Sequence, residues 1–248
     1  VFAVCVQNLD HTQSIIMPKE KYMSSILISG CGISYSEQQK PTWVNVLKLC
    51  GVDVIDAGGP AISNESILNS LLFELDKQEN ISHVICQLTN PGKIDIEMND
   101  ERMAMFEGNN VKANRQFIWK GMWPSSVSNY TTQKKEYYKW IYSSKVDLEN
   151  TLLKMYLLQT LCEQRNIKLL IVQGYTIPWQ ESSILDKINF DKKFAIRDLY
   201  EASDYYKFHD NTDGNSVPCV EFQKYYAWKI NEDFLKFELQ HKFEKFKW

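Results

Sequence analysis

The chain has 248 residues, of which 44% are apolar and 24% charged, and its formal net charge is −3. That length and apolar share are enough for a folded core, and the slight excess of acid argues against a nucleic-acid-binding surface. No run reaches the roughly 20 apolar residues of a membrane span, and "VFAVCVQNLDHTQ" lacks the basic start of an export signal.

Residues 1–22 read as an N-terminal arm in which "FAVCV" is a short edge strand. Residues 26–29 are an aliphatic run that ends in Gly30, the pattern of a buried strand. "PTWVNVLKLCG" follows, with Trp43, Val44, Val46, Leu47 and Cys50 at helical spacing and Gly51 as the stop. "VDVIDAGG" supplies a second strand over 52–56. "SNESILNSLLFEL" is a second helix, capped by Ser63 or Asn64, with Ile67, Leu68, Leu71, Leu72 and Leu75 on its apolar face. "SHVICQL" is a third strand, closed by "TNPGK". A βαβαβ order with short connections predicts a parallel sheet covered by helices on both faces.

Residues 98–146 break this rhythm. Trp119, Trp123, Tyr130, Tyr137, Tyr138, Trp140 and Tyr142 make the stretch aromatic, and it reads as an insertion with a few helical turns. It either packs on the sheet edge, forms a subunit interface or offers a sugar-stacking platform. A long helix follows, with Leu148, Leu152, Met155, Leu158, Leu161 and Cys162 on one side, and then the strand "KLLIVQGY". A polar, Asp-rich region runs to Asn215, and residues 220–248 read as helix throughout. Leu235, Leu239, Phe243 and Phe246 form a stripe on that helix, either an arm that docks elsewhere or part of the core. The organisation is one α/β domain at 23–230 and a helical extension at 231–248.

The cysteines Cys5, Cys31, Cys50, Cys86, Cys162 and Cys219 show no metal-ligand spacing, and the four His are dispersed. No metal and no cofactor are therefore expected. Cys50, Cys86 and Cys162 lie in apolar runs, where a free thiol packs as a small hydrophobe. This usage points to a reducing, cytoplasmic compartment.

Four segments then fall in a telling order. "ILISGCGIS" resembles the first block of the SGNH/GDSL hydrolases, in which a strand runs into Gly-Asp-Ser. "DAGGPAISN" resembles the second block, "QLTNPGK" the third, and "HDNTDGNSVP" the fourth, usually Asp-X-X-His-Pro. The phrases "WVNVL", "GGPAISN" and "QLT" are similar to SGNH-like proteins of tailed phages. The resemblance covers residues 26 to about 230. It implies a three-layer α/β/α fold with a parallel, flavodoxin-like sheet, carrying the aromatic insertion and the C-terminal helix.

The chemistry that the resemblance implies is acyl transfer through a Ser-His-Asp triad, with backbone and Asn donors facing an oxyanion. On this alignment Gly59 or Gly58 and Asn90 are the oxyanion donors, and Asp210 or Asp213 is the acid. The nucleophile position, however, is held by Gly32, with Cys31 in place of Asp. Ser34 lies two residues beyond it, several ångströms along an extended chain at about 3.3 Å per residue. The place before Pro218 holds Ser216 and Val217, and the nearby imidazole, His209, precedes the Asp residues. An active version would have to use Ser34, His209 and Asp213. Cys31 is either a turn thiol of lowered pKa or a small buried filler.

Three functions follow. The first is an SGNH-fold protein that has lost ester hydrolysis and serves as a structural or binding component, in a phage virion on the narrower likeness. It would have a protein partner or form a homo-oligomer, with no nucleic acid and no membrane. The second is an esterase or carbohydrate deacylase with a rearranged site, taking an acyl ester or carbohydrate ligand. The third is a flavodoxin-like ligand binder.

Overall fold

The computed structural model describes residues 25–30, 42–59, 62–89, 94–98, 118–122, 143–174, 183–190, 195, 196, 199 and 220–239. Its strands are β1 (Ser25–Ser29), β2 (Val54–Asp56), β3 (Ile81–Leu88), β4 (Ile94–Met98), β5 (Ile118–Met122) and β6 (Lys168–Gln173). Its α-helices are α1 (Trp43–Leu49), α2 (Asn64–Lys77), α3 (Ser144–Gln164) and α4 (Val220–Ile230).

Side-chain alternation explains the layers. Along β1, Ile26 and Ile28 enter one core with α1 and α4, whereas Leu27 enters a second core with α2 and α3. Along β3, Ile85 joins the first core, and Val84, Cys86 and Leu88 join the second. Strands buried on both faces need apolar residues at every position, which is why these segments read as unbroken aliphatic runs. The strands pair in the order β2-β1-β3-β6, and every pairing is parallel. The fold is a three-layer α/β/α sandwich.

Local chemistry sets the helix ends. Thr42 and Asn45 form a capping box at α1, and Gly51 takes a positive φ of 88° just past its end. Ser63 caps α2 by accepting from the Ser66 N–H. Ser143 caps α3 by accepting from the Val146 N–H. Trp43, fully buried, meets Tyr226 edge-to-face at 5.5 Å, and Tyr226 stacks on Phe222 at 5.9 Å. These rings pin α1 to α4, and such pairs add about 0.5–1.5 kcal/mol beyond their burial.

Two expectations are corrected. The region expected to be an insertion with helical turns contains β5, which pairs antiparallel with β4 in a separate two-stranded sheet. Pairing with a distant segment, rather than local periodicity, creates these strands. Tryptophan Trp119 lies in β5, and the other six aromatics of that stretch lie outside the described residues. The long C-terminal helix also ends early. A π turn spans Asn231–Leu235, and Lys236 adopts the left-handed conformation at φ 57°. The Asn231 side chain then bonds the Phe237 N–H and C=O, at 3.3 and 3.2 Å, which replaces the next helical turn. Leu235 is buried in the first core, with Phe234, Phe237 and Leu239 packed against it. Residues 231–239 thus belong to the domain's packing.

Candidate functional site

Open parallel sheets bind ligands beyond the carboxyl ends of the strands, where the strand order reverses. Here β1 connects towards β2 on one side, and β3 leads towards β6 on the other. By that rule the candidate crevice is at the carboxyl ends of β1 and β3, the edge that carries Gly30, Gly58–Gly59 and Thr89.

The turns after β1 and β2 meet backbone to backbone. The Ala57 N–H donates to Ile28 O at 2.8 Å, and the Gly59 N–H donates to Gly30 O at 3.1 Å, extending the ladder past the strands. The Gly58 N–H donates to Asp56 Oδ1 at 3.1 Å. A methyl group at Gly58 would stand 2.8 Å from Gly30 O and 3.2 Å from Gly30 N, so glycine is required by the approach of the two turns. The amides of Gly58 and Gly59, the alternative candidates for a backbone oxyanion donor, are thus both engaged by acceptors of the protein. An oxyanion at this edge would have to share or displace those bonds.

Ser29 is the hydroxyl next to this turn. It is fully buried, and its Oγ donates to Ala57 O at 3.2 Å and lies 2.9 Å from Ser70 Oγ. The Ser70 hydroxyl in turn donates to Ile67 O at 2.9 Å. Ser29 therefore joins β1 to α2 and does not face the crevice.

The end of β3 is held by Asn64, the second of the two residues that the sequence offers as a cap for α2. Asn64, 2% exposed, accepts from the Thr89 N–H at 2.7 Å and donates from Nδ2 to Thr89 O at 3.2 Å. Ser63 performs the capping, which leaves the Asn64 carboxamide to grip the strand exit. On the other face, the Trp43 indole N–H donates to Gln87 Oε1 at 3.2 Å, and the Trp43 backbone N–H donates to Gln223 Oε1 at 2.9 Å. This buried polar chain links β3, α1 and α4. A glutamine inside the apolar run "VICQL" is the sequence signal that points to it. Thr89 Oγ1 and Gln223 Nε2 are buried without a hydrogen-bond partner. Beyond β6, the Gly174 N–H donates to Leu88 O at 2.8 Å.

The three cysteines among the described residues are not poised as thiolates. Burial pushes the Cys50 thiol up to about 11 and the Cys162 thiol up to about 12, and it pushes Cys86 upward as well. All three are buried free thiols, as their apolar surroundings in the sequence suggest. His83 is held down to about 4 by burial and by the nearby Lys168 charge, but it sits towards the amino end of β3, away from the crevice. Asp56 pairs with Lys48 at 3.4 Å. Among the described residues no group of three or more His, Cys, Asp or Glu is placed to hold a metal. No helix among them is long and apolar enough to cross a membrane.

Of the residues proposed for chemistry, Gly59 and Gly58 stand at the crevice. Gly32, Ser34, Asn90, His209 and Asp213 lie outside the described residues, as do Cys31 and Asp210.

No family model matches the sequence. No curated protein matches it either. A similar solved structure is that of the psychrotrophic esterase EstA from Pseudoalteromonas sp., inhibited by monoethylphosphonate. It shares 14% identity, with 86% of this chain and 97% of that chain covered and a TM-score of 0.46.

Proposed function

We propose that the chain is an SGNH-type domain that no longer hydrolyses esters and acts as a structural or binding component. A phage virion is the setting suggested by the phrases it shares with tailed-phage proteins. The observation that carries this reading is the engagement of Gly58 and Gly59: their N–H groups donate to Asp56 Oδ1 and Gly30 O. Oxyanion donors must instead be preorganised towards the developing charge, each contributing about 2.7–4 kcal/mol. The reading is supported on the chemical side by Gly32 at the nucleophile position. Loss of one triad member alone lowers turnover by about 10⁴- to 10⁶-fold.

The test pairs activity with assembly. The protein is expected neither to turn over p-nitrophenyl acetate above the buffer rate nor to take a fluorophosphonate label. Light scattering after size exclusion is expected to show a homo-oligomer, or a complex with a co-expressed virion protein. Labelling and turnover that vanish in Ser34→Ala and His209→Ala would establish the esterase instead.

A further inference from the structure

At the end of the sheet opposite the crevice, the carboxy-terminal segment closes over a histidine. His83 pairs in register with Ile26 of β1 and Lys168 of β6, so these three side chains share the face that bears α1 and α4. Phe234 and Phe237 meet the imidazole in T-shaped contacts, with ring centroids at 5.3 and 5.1 Å. His83 Nδ1 is 2.8 Å from Ser82 Oγ, whereas Nε2 is buried with no partner. The clamp has its own internal staple: the π turn, left-handed Lys236 and the Asn231 bonds to Phe237.

We propose that His83 is a proton-operated latch: it holds the segment 231–239 against the sheet while the imidazole is neutral and releases it on protonation. A neutral ring packs against the two phenyl rings and tolerates an unpaired Nε2. An imidazolium carries a second N–H donor and a full charge into the same place, with nothing there to accept it. The charged groups around it add to the conflict. From β6, Lys168 brings a like charge. From β1, Ile26 brings none. On the segment itself, Glu232, Asp233, Lys236 and Glu238 are all exposed, and Asp233 is paired with Lys229 at 3.1 Å. Leu235 remains the segment's apolar anchor, so release means peeling Phe234 and Phe237 away from β3.

The sign follows from linkage. The folded-state pKa, about 4, lies below the ordinary 6.5, so the closed form is fully favoured above about pH 6.5 and loses ground as pH falls towards 4. Opening of the segment should become about 20-fold more frequent at pH 5 than at pH 7. Hydrogen exchange of residues 231–239, corrected for intrinsic rates, measures this on the whole chain. The proposal expects that rise in wild type while the Val84–Cys86 amides of β3 stay protected. It expects no rise in His83→Gln or His83→Phe. Equal protection at both pH values, joint loss of protection in β3, or an unchanged pH response in the variants would each overturn it. If both variants fail to fold, comparison of the segment with β3 in wild type still decides.

Discussion

The side chain of Asn64 closes a ring of hydrogen bonds on Thr89, accepting from its N–H at 2.7 Å and donating to its carbonyl at 3.2 Å. One carboxamide at the start of α2 therefore satisfies both backbone polar groups at the exit of β3. Such groups are costly to bury unpaired. The prediction is that Asn64→Leu destabilises the protein by about 2–4 kcal/mol, and that Asn64→Asp, which turns the donor to Thr89 O into a carboxylate oxygen, does not restore the lost stability. Urea unfolding midpoints check this. An Asn64→Leu variant as stable as wild type would show that the grip contributes nothing.

The meeting of the first two turns predicts a contrast between adjacent glycines. Gly58→Ala drives a methyl to 2.8 Å from the backbone oxygen of Gly30, where nothing can yield without moving a strand end. Gly59→Ala meets the Ile62 Cγ2 methyl at 3.0 Å, a side chain that can shift. The expected cost is about 1–3 kcal/mol for Gly58→Ala and clearly less for Gly59→Ala. Thermal melts of the two variants side by side test the order.

Ser29 is expected to be structural. Ser29→Ala removes the bonds to Ala57 O and Ser70, and its expected cost is about 1 kcal/mol. It should leave fluorophosphonate labelling unchanged, whatever the wild-type level. A label that maps to Ser29 by peptide mass spectrometry would contradict the inward orientation of its hydroxyl.

The buried thiols give a pH prediction. With the Cys50 thiol at about 11 and the Cys162 thiol at about 12, the folded protein carries very little thiolate at pH 8. Iodoacetamide should label both at least about 100-fold more slowly in the native state than in urea. The linkage runs opposite to that of His83. A raised folded pKa leaves stability intact below about pH 9 and erodes it as pH climbs towards 11 and beyond, because the unfolded thiols ionise first. Site-resolved labelling at pH 8, together with urea midpoints between pH 8 and 10.5, checks both parts.

Legibility varied with the range of the interaction involved. Trp43, Val44, Leu47, Ile67, Leu68 and Leu71 are all buried as their spacing predicted, because a helix repeats its face every 3.6 residues whatever lies opposite. The same holds for α3, where Leu148, Leu152, Met155, Leu158 and Cys162 are buried and Leu161 is only partly so. The pairing of β5 with β4 was not legible, since Ile118–Met122 has no alternation that would announce a partner more than twenty residues away. The stop after Leu235 was missed for a related reason. Lys236 carries no helix-breaking chemistry, and it is the Asn231 carboxamide reaching Phe237 that turns the chain. At the site, the glycines after β2 were visible as a turn. The Gly58 bond to Asp56 is local, but that the Gly59 amide meets Gly30 O depends on the approach of two turns distant in sequence.

The succession β1, α1, β2, α2, β3, α3, β6, the two-sided burial of β1 and β3, and the glycine at position 32 are properties of the chain read in one dimension, because apolar period and residue identity need no partner. The bond from the Gly59 amide to Gly30, the inward bonding of Ser29, the hold of Asn64 on Thr89 and the closure of Phe234 and Phe237 over His83 were decided only when distant segments met. Hydrogen bonds and ring contacts act over a few ångströms, and sequence spacing does not encode which groups the folded backbone brings within that reach.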